Sequence, residues 1–480
     1  MSDKSLIDQL KRIVGDAYVV DDPAGLIAFE YDGSVDRALP SAVVLPACTA
    51  EVSQVMKAAR DHGATIVARG AGTGLSGGSV PEQGSLVVPL TRMNRIVEID
   101  PANRLAVVDP GVVNLDLTLA AAEHDLYYAP DPSSQQACTI GGNVAENSGG
   151  PHCLAYGVTT NHVLGLEAVL ADGSVVWLGG RSSEAPGYDL RGILIGSEGT
   201  LALVTKVIVR LLRRPEAVKT MLAVYRELDD ASSAVSDVIG SGIVPAAMEM
   251  MDDLAIAAVE PAVNAGYPAE AGAVLLVEVD GLAESVEEES ELIESVMERH
   301  SPMEIRTARD ADERQRLWAG RKGALGALGR LAPNYYLIDG TIPPTRLVEV
   351  MARIKEISAE SGFPIANVLH AGDGNLHPSI LFDERKPGET KRVLEIGGQI
   401  LKLCVDEGGV LSGEHGIGIE KREYMPYMFS DEDMRTMAKL KPAFDTRDAL
   451  NPGKIFPQGS AANELTQVGP VARAGTGAYI

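Results

Sequence analysis

The chain has 480 residues, 45% of them hydrophobic, and 67 Asp and Glu against 42 Lys and Arg, for a formal net charge of −25. That length and apolar content predict about two to four domains with an ample core and little disorder. The negative charge argues against nucleic acid or an anionic membrane surface as a partner.

In chain order, Leu6–Val14 spaces its apolar residues as an amphipathic lead-in helix does. From Ala42 the pattern reads strand, helix from Glu51 to His62, strand at Ala64–Ala68, glycine loop, and strand at Leu86–Leu90. Arg104–Gly111 adds a strand, and Val163–Trp177 a hairpin around Asp172-Gly173. After the strand Thr205–Arg210, the basic, proline-stopped run Leu211–Pro215 reads as a domain boundary. Beyond it Ala273–Val279 is a strand and Gly281–His300 an acidic helix. Asp312–Leu325 is a helix with Trp318 and Arg321 on neighbouring faces. Helices follow Glu420, and the Ala- and Gly-rich tail from Gln458 is expected to be flexible. No apolar run approaches the roughly 20 residues of a bilayer span. The first residues carry no export signal, and Cys48, Cys138, Cys153 and Cys404 lack paired spacing. A cytoplasmic location with reduced thiols is therefore expected.

Gly72-x-Gly74-x-x-Gly77 matches a dinucleotide-binding fingerprint, but three glycines and Pro81 stand where its helix should begin. What remains between two strands is a loop of bare backbone N–H groups, suited to an anion such as pyrophosphate. A second stretch, Asp131–Gly150, mixes small residues with Asn and Thr, which lets backbone approach a flat ligand. With a third, Gly196–Thr200, the three loops suggest a large, elongated cofactor.

His370-Ala371-Gly372-Asp373-Gly374-Asn375-Leu376-His377 carries the chemistry. Asp373-Gly374 favours a two-residue type I′ turn, pairing Gly372 with Asn375, Ala371 with Leu376 and His370 with His377. Alternation then puts His370, Asn375 and His377 on one face, with the imidazoles close enough to share a metal. A third ligand comes from Gly413-Glu414-His415-Gly416, as Glu414 or as His415. Two imidazoles and a carboxylate leave coordination positions open, as catalytic sites do. With Glu414 as ligand, His415 is left free to move a proton near neutral pH.

Six segments in order carry a resemblance: Arg69–Gly78, Pro132–Asn147, Gly196–Thr200, His370–His377, Gly413–Gly418 and Asn451–Ile455. Over roughly residues 20–457 the chain resembles the FAD-linked oxidases of the vanillyl-alcohol oxidase type, and among them the branch of glycolate oxidase and the D-lactate and D-2-hydroxyglutarate dehydrogenases. The resemblance implies an α+β fold: a split PCMH-type FAD-binding domain and a substrate-binding cap on an antiparallel sheet. The expected division is a lead-in at 1–37, an FAD-binding domain at 38–215 and a cap at 216–420. A segment at 421–457 returns to the FAD domain, and a tail occupies 458–480.

The resemblance also implies where FAD is held. The residues are Arg69, Gly70, Ala71, Gly72, Thr73, Gly74, Leu75, Gly77 and Gly78, then Pro132, Ser133, Thr139, Gly142, Asn143, Ala145, Asn147, Gly150, Tyr156 and Gly157. Glu198, Gly199, Val204 and Asn451 complete the set. Thr73 stands where relatives with covalent flavin carry histidine, so non-covalent FAD is expected. Arg321 matches the arginine that takes the substrate carboxylate, with Asn375 as a polar neighbour of the substrate or of a metal-bound water. Leu325 and Leu337 stand where the 2-hydroxyglutarate enzymes place Thr and Lys, implying a short substrate with one carboxylate. Tyr335, Tyr336 and Glu249 are further pocket candidates. The expected reaction is oxidation of glycolate, or else D-lactate, with His415 as base. A divalent ion, zinc first and manganese or iron next, sits on His370, His377 and Glu414. The electrons go to a non-NAD acceptor, through accessory flavoprotein and iron–sulfur subunits of a glycolate oxidase complex, or within a homodimer. A metal hydrolase with structural glycine loops and a non-catalytic electron relay are the rival readings.

Overall fold

The computed structural model describes residues 4–82, 84–182 and 187–463; most of the tail expected to be flexible lies outside them. The helix Lys4–Val14 buries Leu6, Ile7, Leu10 and Val14 against the helix Thr49–Asp61 and the first sheet. That sheet runs in the order Val19–Val20, Ala42–Val44, Leu86–Pro89, Ile66–Arg69, and its last three strands are parallel. Its central strands are Val-rich and buried along their whole length, as strands covered on both faces must be.

A second, antiparallel sheet follows in the order Ile96–Asp100, Leu105–Val108, Leu203–Arg210, Val163–Val169, Val175–Gly179. The outer strand Val175–Gly179 alternates exposed with half-buried residues, whereas Val163–Val169 is buried throughout. The chain then builds a seven-stranded antiparallel sheet. Its order is Glu304–Thr307, Ala217–Tyr225, Ala273–Gly281, Ala247–Asp252, Ile365–His370, Asn375–Phe382, Asn334–Leu337. One face packs on the helices Leu228–Gly240, Ala283–Glu298, Leu347–Ser361 and Glu389–Asp406. The other face packs on Asp253–Val263 and Ala311–Ala327. The acidic stretch Gly281–His300 thus forms a helix because Val286, Ile293, Val296 and Met297 face the core while its glutamates point outward.

Two contacts bring distant chain to the first sheet. Leu450 bridges Ile66 in parallel, and the buried Lys441 ammonium donates to the carbonyls of Thr200 and Leu450, both at 2.6 Å. No helix among the described residues is long and apolar enough to cross a membrane.

Candidate active site

The loop Gly70–Ser85 connects the paired parallel strands Ile66–Arg69 and Leu86–Pro89, with no helix among its described residues. Its backbone faces a cavity of about 360 Å³, within the size range of small-molecule and cofactor sites. Glycine is required at Gly70 for space: a Cβ there would come 2.5 Å from Thr139 Oγ1. Thr139 in turn caps a short helix, Ile140–Glu146, so the second glycine stretch is part helix rather than loop throughout. The hydroxyl accepts from the Gly142 N–H at 3.4 Å, one of the donors a helix start leaves free.

Of the residues expected at FAD, Arg69 through Leu75, Gly78, Pro132, Ser133, Thr139, Gly142, Asn143, Ala145, Glu198, Gly199 and Val204 line this cavity. Gly77, Asn147, Gly150, Tyr156, Gly157 and Asn451 do not. Each of these six has another physical task. Gly77 packs on Ile419, and Gly150 sits against the Asp131 carbonyl. Asn147 ends the helix in the left-handed region and accepts from Thr160 N. The Tyr156 hydroxyl donates to Asp280 at 2.5 Å, and Gly157 closes on Asn161. Asn451 donates to the carbonyls of Gly78 and Glu198, at 2.8 and 2.6 Å, and so ties two glycine loops together. Asn143 faces the cavity, but its amide is held by Asn114 and Cys138. The Glu198 carboxylate accepts from Ile417 N and Gly418 N, both at 2.7 Å, which clamps the His415 loop to the cavity wall. The bare backbone and small side chains along one elongated cavity fit FAD.

The same cavity ends at Arg321, His377, Glu414 and His415. The hairpin register differs from the expected one. His370 pairs with Asn375 and Val368 with His377, across the four-residue turn Ala371–Gly374, in which Gly374 N donates to His370 O. Among the turn residues only Gly374 has positive φ, so the turn is not type I′. The slip of two residues preserves side-chain faces, so both imidazoles still converge. His370 Nε2 and His377 Nε2 lie 3.3 and 3.1 Å from Glu414 Oε1, and their rings are 5.0 Å apart. His415 Nε2 is 3.6 Å from the same oxygen, and its ring stacks on His377.

Glu249 stands directly across from His370 on the neighbouring strand. Its Oε1 meets His370 Nδ1 at 2.8 Å, which leaves Nε2 directed at Glu414. This is the carboxylate–histidine arrangement that orients metal ligands. Burial would raise the Glu414 carboxyl, but His370 and the other two imidazoles overcome it and hold Glu414 well below the carboxylate range. Two buried, inward-facing imidazole nitrogens and a partly buried, ionised carboxylate are a donor set that fits a divalent ion.

Asp339 organises the loop that carries Glu414 and His415. It is fully buried, and its carboxylate accepts from Ser412 Oγ (2.6 Å), His415 N (3.0 Å), Glu414 N and Gly413 N (3.2 Å each). The buried Lys421 ammonium adds a 3.1 Å ion pair. Burial opposes this charge, but His415 and Lys421 outweigh it and hold Asp339 far below its usual value. The Asn375 amide also donates to Asp339, at 3.0 Å, and the residue does not line the cavity. On the histidine face of the hairpin, its amide thus turns to the loop anchor.

Arg321 is 2% exposed and lies 2.5 Å from Glu249 Oε2, so one carboxylate sets both the arginine and His370. Leu325 and Tyr335 line the cavity; Leu337, across from Ser379, shares the Tyr335 side of its strand but does not line the cavity, and Tyr336 is buried in the core on the other face. The wall also includes Lys322, bonded to Asp131 at 3.1 Å, a cation the sequence did not point to.

A family model described as FAD binding domain matches residues 40–179, and one described as FAD linked oxidases, C-terminal domain, matches 214–455. The chain is 46% identical to glycolate oxidase subunit GlcD of Escherichia coli (strain K12), over 90% of this chain and 87% of that one. It is 34% identical to a D-lactate dehydrogenase of Archaeoglobus fulgidus, over 94% and 99% of the two chains. Among solved structures, p-cresol methylhydroxylase shares the fold with a TM-score of 0.79 at 18% identity, over 94% of this chain and 96% of that one. The chain belongs to the FAD-linked oxidase family, whose members are oxidoreductases.

Proposed function

We propose that this protein oxidises a short 2-hydroxy acid, glycolate in the first place, to the 2-oxo acid. The observation that carries the reading is the continuity of one cavity from the glycine loops to Arg321, Glu414 and His415. Arg321 offers a planar, always charged group for the carboxylate, held in place by Glu249. His370, His377 and Glu414 would hold a divalent ion, zinc first and manganese or iron next. His415 takes the hydroxyl proton: its buried Nδ1 has no hydrogen-bond partner, and Asp339 lies 3.8 Å from it. Burial would lower the His415 imidazole, but Asp339 and Glu414 raise it, which suits a base that must hold a proton. When bound, FAD supplies the two-electron acceptor and the metal Lewis acidity toward the hydroxyl.

Thr73 at the cavity wall offers no imidazole for a flavin linkage, which supports non-covalent FAD. We assign residues 38–215 and 421–457 to the FAD-binding unit, 216–420 to the cap and 1–37 to a lead-in. The Leu450–Ile66 bridge supports the returning segment. The relative from Escherichia coli is named a subunit, which supports electron transfer to partner proteins, an accessory flavoprotein and an iron–sulfur protein. D-Lactate is the second substrate reading, favoured by the Archaeoglobus relative. The test is anaerobic titration with hydroxy acids. Glycolate should bleach the flavin absorbance; a colourless protein would point to the hydrolase, and a coloured one that no hydroxy acid bleaches would point to an electron relay.

A further inference from the structure

Beside the main cavity lies a more open cleft of about 390 Å³, lined by His152, Ala311, Arg314, Gln315, Trp318 and Lys322. Five of these residues come from the helix Ala311–Ala327, at spacings that put them on one face. Lys322 also lines the main cavity, so the two spaces share a wall. The next residue back, Arg321, is the proposed carboxylate ligand.

The charges in the cleft are layered. Glu278, 1% exposed, sits at the back and accepts from Arg314 (2.6 and 2.8 Å), Trp318 Nε1 (2.7 Å), Thr220 (2.5 Å) and His152 (3.2 Å). Asp131 accepts from His152 at 3.0 Å and from Lys322 at 3.1 Å. The cations stand in front, with Arg314 42%, Lys322 27% and His152 20% exposed against 14% for Asp131. Asp280 lies to one side, held by the Tyr156 hydroxyl. Burial would discharge the His152 imidazole, but Asp131 and Glu278 outweigh it and push its pKa up to about 10. The ring stacks on Trp318 at 5.4 Å. The guanidinium, ammonium and imidazolium are thus more exposed than the Glu278 and Asp131 carboxylates behind them. The chain as a whole carries a formal net charge of −25.

We propose that this cleft is a capture site for the substrate's carboxylate, at the outer end of a path that leads past Lys322 to Arg321. The inference rests on the proposed 2-hydroxy-acid activity. A mouth whose cations stand more exposed than the carboxylates behind them draws an anionic substrate and speeds its encounter, and salt abolishes the effect. It leaves the saturated rate untouched, because the cleft contacts no reacting atom.

Gln315 provides the test, since it lines the cleft, is exposed and can change charge without breaking the Glu278 network. The second-order rate constant for flavin reduction by glycolate is measured for Gln315→Lys and Gln315→Glu in the holoenzyme. At low ionic strength the Lys variant should exceed the Glu variant by about tenfold, shrinking to less than about twofold near 0.5 M salt. The limiting rate at saturating glycolate should be equal in both. A matched pair at exposed Leu292, on the outer acidic helix, should differ little. Equal second-order constants at low salt, a difference that salt leaves intact, or an effect confined to the limiting rate would overturn the proposal. Failure of glycolate to reduce the wild-type flavin even at saturation would instead sink the proposed function.

Discussion

Asp339→Asn is the substitution that probes the site's architecture most directly. Asp339 and Lys421 are both fully buried and 3.1 Å apart, and the same carboxylate takes the backbone N–H groups of Gly413, Glu414 and His415. In the Asn variant the amide nitrogen must face donors, and the Lys421 ammonium loses its main counter-charge. Breaking a buried ion pair from one side costs about 3–5 kcal/mol. That is a large share of the ~5–15 kcal/mol by which folded proteins exceed their unfolded states. Lys421→Met should cost a similar amount, because it leaves the Asp339 charge short of a partner. The double variant removes both charges, so its loss should fall below the sum of the singles by about 3 kcal/mol. Denaturant unfolding of all four proteins, followed by circular dichroism, measures the cycle. Turnover gives a second readout: Asp339→Asn should lower kcat by at least about tenfold with FAD content retained, since the loop carrying Glu414 and His415 loses its anchor. Additivity within about 0.5 kcal/mol, or full kcat in Asp339→Asn, would refute the reasoning.

The remaining predictions concern the cofactor, the metal and pH. Acid precipitation should release all the flavin into the supernatant, because Thr73 cannot link it; colour kept in the pellet would contradict this. His370→Ala and His377→Ala should each abolish stoichiometric metal, as read by elemental analysis, and cut turnover strongly while FAD content stays near normal; unchanged metal content would remove these ligands from the assignment. His152 has a folded pKa of about 10 against an ordinary value near 6.5, held up by Asp131 and Glu278 against burial. Its stabilising contribution is therefore complete below pH 6.5 and disappears as pH rises toward 10. The unfolding midpoint of His152→Gln should accordingly vary less with pH between 6.5 and 10 than that of the wild type; parallel curves would show that the imidazole is not charged in the folded protein.

Local pattern made much of this protein readable. The strand–helix–strand–loop–strand run from Ala42 to Leu90 follows from apolar runs and from glycines that cannot continue a helix, and the structure has each of those elements. The shared face of His370 and His377 was also legible, because strand side chains alternate with period two and a register slip of two residues leaves that parity intact. The register itself was not, since the chain makes a four-residue turn where Asp373-Gly374 suggested a two-residue one. Asn147, Tyr156 and Asn451, which the resemblance assigned to the cofactor, also hold loops and chain segments together, a role set by what packs against them.

The contacts the sequence hid share one property: their partners are far apart along the chain. Glu249 meets His370 across a separation of 121 residues, and Asp339 reaches the loop at 412–415 from more than 70 residues away. Nothing in the neighbours of an isolated Glu in Met248-Glu249-Met250, or of an Asp before Gly340, announces such a contact. Burial of a carboxylate is tolerated only where several donors converge on it, and the seven-stranded sheet creates that convergence by laying Ala247–Asp252 beside Ile365–His370. The kinds of groups in the active site were thus written in short motifs, while their orientation and charge were decided by strand pairing and desolvation, which exist only once the chain has folded.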